Sequence, residues 1–134
     1  MKLYVDTNIF LDYLFERKSR FGKDISIPAQ KLFFRAISCE FFIVMSDHTA
    51  TEINKNIDLE KARMLLEFLK KKIVMVYKTK DDIEKANKLS STNFADALHA
   101  VIAKRAEADY IITRNLEDFE KFSSCIKAKA PENI

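Results

Sequence analysis

Residues 1–10 read MKLYVDTNIF, and their apolar run ends on three polar side chains, Asp6, Thr7 and Asn8. The run at 2–5 predicts a short buried strand, and the apolar spacing at 9–18 predicts an amphipathic helix. An aspartate between a strand and a helix either caps the helix or belongs to a functional site. The role of Asp6 therefore depends on which other residues the fold brings close to it.

Short apolar segments alternate with amphipathic segments along the rest of the chain. Strands are predicted at 2–5, 41–45, 73–77 and 109–113, with a fifth candidate at 125–130. Helices are predicted at 9–18, 27–40, 46–56, 58–72, 80–90, 92–108 and 115–122, the fourth with Asp58 as its N-cap. The alternation is typical of a parallel sheet covered on both faces. The sequence therefore predicts an α/β fold, a three-layer α/β/α sandwich around a central parallel sheet of four to five strands.

Length and composition fit a single domain spanning residues 1–134, with 48% hydrophobic and 32% charged residues. The net charge of +3 permits nucleic acid as a partner but does not demand it. Cys39 and Cys125 lack the spacing of a metal or redox motif, which favours a reduced intracellular protein. The amino terminus lacks a signal-peptide pattern, and the longest apolar run, FFIVM, is too short to cross a bilayer. We therefore expect a cytoplasmic protein without a membrane partner.

Acidic and polar side chains follow three of the predicted strands. Asp6 follows the first strand, and Glu52 lies about a turn and a half into the helix after the second. Thr113 and Asn115 follow the fourth strand, and Asp96 lies early in the helix before it. Because the carboxyl ends of parallel strands meet at one edge of a sheet, we expect these side chains to converge there.

Each acid taken singly also has an ordinary structural interpretation. Asp6 and Asp96 suit helix N-termini, and Glu52 completes a capping box in which Thr49 is the cap. These interpretations explain each residue separately. They do not explain why three acids from remote segments would meet at one place.

Carboxylates that meet without basic partners repel one another, and divalent cations can neutralise them. His48 and His99 are the only histidines, and each is interpreted as a packed or surface residue rather than a ligand. The remaining all-oxygen ligand set suits Mg²⁺ or Mn²⁺ better than Zn²⁺. Such ions activate water and stabilise the charge that develops on a phosphate, which favours phosphodiester hydrolysis.

Four segments carry a family resemblance. They read YVDTNIFLDYL, VMSDHTATEI, FADALHAVIAKRAEADYIITRNLEDFEKF and IKAKAPENI. In this order they resemble the successive motifs of PIN-domain proteins, particularly the VapC-type toxin ribonucleases, over nearly the whole chain. The resemblance implies a PIN-like fold and a Mg²⁺- or Mn²⁺-dependent endoribonuclease that hydrolyses RNA. It implies Asp6, Glu52 and Asp96 as catalytic metal ligands.

The resemblance also assigns supporting residues. Thr7 and Asn8 would shape the first turn, and Thr113 would mark the end of the fourth strand beside the pocket. A fourth acid often follows the TR of that strand in this family, whereas this chain has Asn115 there. An amide brings no charge, so a second tightly bound ion becomes doubtful. Asn115 is the positional equivalent of the missing acid, and Asp118 is a second candidate for its role.

Basic residues follow the first predicted helix. Arg17, Lys18, Arg20 and Lys23 are candidates for contacts with RNA phosphates, and Arg114 is another. The alternative is that this segment is an ordinary solvated loop.

A homodimer and a cognate antitoxin, as in a type II toxin–antitoxin pair, are the protein partners that the resemblance implies. Phe21, Ile25 and Ile27 are either core residues or an apolar surface for such a partner. Which RNA is the substrate is not determined, because every RNA presents the same phosphodiester.

Two other functions are compatible with the sequence. The first is a catalytically weak or inactive PIN-like module that binds RNA or a protein, which Asn115 favours. The second is an aspartyl-phosphate enzyme with Asp6 as nucleophile. It is disfavoured because Asn8 stands where phosphatases of that kind usually have a second aspartate.

Overall fold

The computed structural model describes residues 1–56 and 59–134, so the predicted N-cap Asp58 lies outside the described residues. Within these ranges the chain forms five strands and seven α-helices. The strands are β1 (Lys2–Val5), β2 (Phe42–Ser46), β3 (Ile73–Val76), β4 (Tyr110–Ile112) and β5 (Ala128–Lys129). The helices are α1 (Thr7–Leu14), α2 (Ser26–Ile37), α3 (Asp47–Asn56), α4 (Leu59–Leu69), α5 (Lys80–Leu89), α6 (Phe94–Arg105) and α7 (Leu116–Glu120).

The strands form a sheet in the order β3-β2-β1-β4-β5, and every neighbouring pair is parallel. β1 is central, with Leu3 opposite Ile43 of β2 and Tyr110 of β4. The backbone N–H of Asp6 donates to the carbonyl of Ile112 at 2.9 Å and so extends the β1–β4 pairing by one residue. The predicted three-layer α/β/α fold is confirmed, and the carboxyl ends of its strands share one edge.

Alternate side chains of β1 enter the two opposite layers of the molecule, because successive residues of a strand point to opposite faces. Leu3 and Val5 belong to an apolar cluster shared with residues of α1, α2, α3 and α4. Tyr4 belongs to the cluster on the other face, which contains Leu98 of α6 and Phe119 of α7. Each large apolar side chain buried in this way stabilises the fold by about 1.5–3 kcal/mol. The alternation also places the Tyr4 hydroxyl on the α6 side of the sheet.

Two helix starts differ from the sequence interpretation. α1 begins at Thr7 rather than residue 9, and although Asp6 occupies the N-cap position, its side chain makes no capping hydrogen bond. α3 begins at Asp47, so Thr49 lies inside its first turn and is not the cap. The backbone N–H of Thr49 instead donates to Ser46 Oγ at 3.1 Å, as it would to an N-cap side chain. The predicted capping box of Thr49 and Glu52 is therefore wrong.

Candidate functional site

Asp6 is buried at the carboxyl end of β1, with 3% of its surface exposed. Thr113 Oγ1 donates to Asp6 Oδ2 at 3.0 Å, and Asp6 Oδ1 lies 3.9 Å from His99 Nε2. Burial raises the pKa of Asp6, His99 and Thr113 oppose this rise, and the negative charges of Asp96 and Glu52 add to it. Glu52 and Asp96 are thus close enough to Asp6 to act on it electrostatically.

Glu52 of α3 is held from two sides. Thr7 Oγ1 donates to Glu52 Oε1 at 2.6 Å, and His99 Nε2 lies 2.7 Å from the same oxygen. Burial alone would raise the pKa of Glu52, but the hydrogen bond and charge of His99 and the hydrogen bond of Thr7 lower it to about 2. Glu52 is therefore ionised at neutral pH and fixed in orientation.

His99 is fully buried on α6, one helical turn beyond Asp96. Its Nδ1 lies 2.6 Å from the Tyr4 hydroxyl, which lies 2.7 Å from Ser46 Oγ. Burial disfavours the charged imidazole, but Tyr4 and the neighbouring carboxylates outweigh it and raise the pKa of His99 to about 10. His99 therefore links the central strand to the acid pocket.

His48 of α3 also lies beside the acids. Its Nε2 is 3.8 Å from Glu52 Oε1, and its ring centroid is 4.5 Å from that of His99. The sequence interpretation did not place either histidine in the site. The signal that would have found them is helical spacing: His48 precedes Glu52 by four residues, and His99 follows Asp96 by three, so each pair shares a helix face.

Asp96 is partly buried near the start of α6, and Asn93 Nδ2 donates to its Oδ2 at 2.9 Å. Among the described residues, neither Asp6 nor Asp96 forms an ion pair with a lysine or arginine. His99 is the one basic side chain described beside both Asp6 and Glu52, so three carboxylates share at most part of its positive charge. Carboxylate oxygens are the ligands that Mg²⁺ and Mn²⁺ prefer. Asp6, Glu52 and Asp96 are thus suited to hold such an ion.

The residues after β4 occupy the same edge of the sheet. Thr113 is fully buried, and its Oγ1 accepts a hydrogen bond from the backbone N–H of Asn115 at 3.1 Å. Thr113 therefore connects Asp6 to Asn115, whose side chain is exposed at the N-terminus of α7. Asp118 is exposed on α7, and the described hydrogen bonds and ion pairs do not include its side chain.

The basic candidates fall into two groups. Arg114 lies 3.3 Å from Asp12 Oδ2 and 2.6 Å from Glu132 Oε1. Arg17 lies 3.6 Å from Asp12 Oδ1 and 3.4 Å from Asn8 Oδ1. The other three are exposed: Lys18, Arg20 and Lys23. The two arginines already contact buried Asp12. The ion pairs of the described residues include none of the exposed group, and the Arg20 guanidinium lies 4.9 Å from the centre of the Phe21 ring.

An open groove of about 830 Å³ lies between α1, α2 and α4. Its lining includes four large apolar side chains that are about half exposed or more: Ile27, Phe34, Met64 and Phe68. Phe21 is 84% exposed outside the groove lining. Phe21 and Ile27 are therefore not core residues, while Ile25 is partly buried.

No helix in the described ranges has the length and apolar character needed to span a membrane.

Comparison with known proteins identifies the family of this fold. The family model for the PIN domain matches residues 2–117. The chain therefore belongs to the PIN-domain family. No curated protein matches the sequence.

Two solved structures are similar to this chain over nearly their whole length. One is a structure of VapBC-1 from nontypeable Haemophilus influenzae, with 20% identity, a TM-score of 0.66, and coverage of 98% of this chain and 99% of that chain. The other is VapBC2 from Rickettsia felis bound to a DNA fragment from their promoter. It has 15% identity, a TM-score of 0.64, and coverage of 97% and 98%. At these identities the likeness establishes a shared fold.

Proposed function

We propose that this protein is a Mg²⁺- or Mn²⁺-dependent endoribonuclease acting in the cytoplasm, and the toxin of a type II toxin–antitoxin pair. One observation carries the proposal. Asp6 is buried at the carboxyl edge of a PIN-domain sheet, and the charges of Glu52 and Asp96 raise its pKa. A bound cation would stabilise the ionised carboxylates of such a pocket.

Asp6, Glu52 and Asp96 would hold the ion, and their neighbours keep them in place. Thr113 orients Asp6, Thr7 and His99 orient Glu52, and Asn93 orients Asp96. When bound, Mg²⁺ or Mn²⁺ would activate water and stabilise the charge that develops on the scissile phosphate. Fixed ligand orientations lower the cost of assembling the site for each turnover.

The exposed basic group, Lys18, Arg20 and Lys23, would bind RNA phosphates along the backbone. Such contacts position RNA without reading its sequence. Arg17 and Arg114 are weaker candidates, because their guanidinium groups already contact Asp12.

The toxin assignment is supported by the likeness to structures named VapBC. The groove between α1, α2 and α4 is a suitable docking site for an apolar segment of an antitoxin, since its exposed side chains would be covered. Phe68→Glu should abolish co-purification with an antitoxin encoded beside this chain. Tyr77→Glu, a matched change at an exposed aromatic residue outside the groove lining, should not.

A homodimer is also expected, which light scattering of the purified chain would test.

A second candidate function is a PIN-domain binding module without catalysis. It is favoured by Asn115, an exposed amide where the family often has an acid. Titration calorimetry with Mn²⁺ separates the two functions. A ribonuclease requires metal uptake that Asp6→Asn abolishes, whereas no uptake at millimolar concentrations would favour the binding module.

The decisive experiment is sequencing of RNA ends after brief induction of the wild-type chain and of Asp6→Asn. New RNA ends should appear with the wild type alone, and their positions would identify the substrate. Asp109→Asn is a matched control, because Asp109 is exposed at the opposite edge of the sheet and accepts from the backbone of Lys2 at 2.8 Å. Equal cleavage by the wild type and Asp6→Asn would contradict the proposal.

A further inference from the structure

The two histidines of the sequence meet at one carboxylate. His48 comes from α3 and His99 from α6, on opposite sides of Glu52 in the sequence. One ligand atom from each of the three side chains lies within 4.8 Å of the other two. This cluster shares Glu52 with the acid pocket but differs from it in offering two imidazole nitrogens.

His48 presents a nitrogen that has no hydrogen-bond partner among the described residues. Its Nε2 is buried, and no described residue donates to it or accepts from it. The ring also has a backbone hydrogen bond with Ala95, for which Nδ1 is the remaining nitrogen. A proton on Nδ1 leaves the lone pair of Nε2 beside Glu52 and His99. Most buried polar atoms have a hydrogen-bond partner, and one without a partner is a candidate to bind an ion.

His99 has the outer contacts that histidine ligands of metals usually have. Its Nδ1 lies 2.6 Å from the Tyr4 hydroxyl, and that hydroxyl can in turn donate to Ser46 Oγ at 2.7 Å. An Nδ1–H bond of this kind fixes the ring and directs Nε2 towards the metal in known sites. Here Nε2 is directed at Glu52 Oε1, 2.7 Å away. Thr7 holds that carboxylate from the other side.

We propose that His48, Glu52 and His99 form a binding site for Zn²⁺ that shares Glu52 with the proposed Mg²⁺ or Mn²⁺ site and takes its other two ligands from the histidines. Two imidazoles and one carboxylate are a donor set of known zinc sites, and imidazole favours Zn²⁺ over Mg²⁺. Binding replaces the hydrogen bond between His99 and Glu52 with two bonds to the ion, and the proton on His99 Nε2 leaves to solvent. Asp6 Oδ1, 3.9 Å from His99 Nε2, lies at the border of the two sites.

The test measures Zn²⁺ binding directly, without RNA, so its result is independent of the ribonuclease proposal. A Cys39→Ser, Cys125→Ser background removes both thiols, which would otherwise compete for zinc. Calorimetry should show Zn²⁺ binding at one site, more tightly than Mg²⁺. His48→Gln in this background should weaken Zn²⁺ binding by at least about 10–100-fold, the range known for loss of an outer contact of a metal ligand. Asp96→Asn, which changes the acid pocket alone, should weaken it much less.

Nuclear magnetic resonance of the imidazole rings gives a second measurement on the folded protein. The chain has two histidines, and the ring signals of both should change together at one equivalent of Zn²⁺. Unchanged Zn²⁺ affinity in His48→Gln would overturn the proposal. So would a larger loss in Asp96→Asn than in His48→Gln, or zinc binding that leaves either ring unaffected.

Discussion

Asp6 and Asp12 lie six residues apart, and both are almost completely buried, with 3% and 2% of their surfaces exposed. Burial is the largest influence on each, and it raises the pKa of both carboxyl groups. Their partners differ. Arg114 and Arg17 lie within 4 Å of Asp12, whereas Asp6 has a threonine hydroxyl and, at 3.9 Å, His99.

The difference separates an acid that is paired within the fold from an acid that we propose acts in the site. Through Arg114, Asp12 is connected to Glu132 near the carboxyl terminus, so this cluster joins α1 to the far end of the chain. Its charges are neutralised within the fold. Asp6 instead lies where Glu52 and Asp96 add negative charge. His99 compensates only part of the charge of these three acids. A buried acid in such a cluster marks a candidate site for a ligand that brings further positive charge.

The largest expected effect concerns cleavage of RNA. Asp6→Asn should lower Mn²⁺-dependent cleavage by at least about 100-fold, as removal of a group that stabilises transition-state charge commonly does. Asp12→Asn should retain cleavage at a temperature where it is folded, because the charge of Asp12 is paired with Arg114 and Arg17 and is not needed to hold the ion. Gel assays of the two purified variants make the comparison. Loss of activity in both would show that the two acids are not functionally distinct.

The second prediction concerns metal and stability. At 100 times its dissociation constant, Mn²⁺ should raise the free energy of unfolding of the wild type by about 2.7 kcal/mol, because it binds the folded state alone. It should stabilise Asp12→Asn equally and Asp6→Asn little. Urea denaturation with Mn²⁺ or with a chelator measures the free energy of unfolding in each case. Equal stabilisation of all three proteins would mean that the ion does not bind at Asp6.

The third prediction concerns the fold without metal. Asp12→Ala should lower the free energy of unfolding by about 2 kcal/mol, since it leaves two arginines without their shared carboxylate. This loss is smaller than the loss expected for a fully buried ion pair, because both arginine side chains remain partly exposed. Asp6→Asn, measured in chelator, should leave the stability equal or higher. A large loss in Asp6→Asn would mean that Asp6 has a structural role as well.

The smallest expected effect is a dependence on pH. The pKa of Asp6 in the folded chain is raised above its ordinary value of 3.8, so ionised Asp6 costs stability at neutral pH. This cost decreases as the pH falls through the pKa that Asp6 has in the folded chain. Below pH 3.8 Asp6 is protonated in the folded and the unfolded chain, so the cost does not change further. In chelator, the stability advantage of Asp6→Asn over the wild type should therefore shrink as the pH falls towards 3.8. An advantage that grows on acidification would contradict the sign of this shift.

Much of the fold could be predicted from local sequence, because strand and helix periodicities differ and the segments are short. β5 was a weaker prediction, and the structure limits it to Ala128–Lys129. The interpretation of Glu52 as half of a capping box failed because Ser46, at the end of β2, provides the oxygen for the first turn of α3. Local patterns name the residue types that suit a cap but not which of them occupies it.

The candidate site was less accessible to sequence reasoning. The position of Asp6, Glu52 and Asp96 near one edge of the sheet follows from parallel strand order. Their metal-binding roles remain a prediction. The sequence does not single out the two histidines, because each one, viewed on its own helix, suits a packed position. Their meeting at Glu52 depends on where the fold places α3 relative to α6, two helices whose apolar residues belong to different core clusters. No local pattern specifies that placement.

The sequence by itself determined the alternation of strands and helices, and with it the edge of the sheet at which VDTN ends β1. Only the tertiary structure decided which buried aspartate is neutralised by the protein. Arg114, 102 residues further along the chain, meets Asp12, and His99 comes close to Asp6. Charge interactions depend on distance in space and on burial. Two aspartates six residues apart in sequence thus acquire different chemistry from parts of the chain that are remote from both.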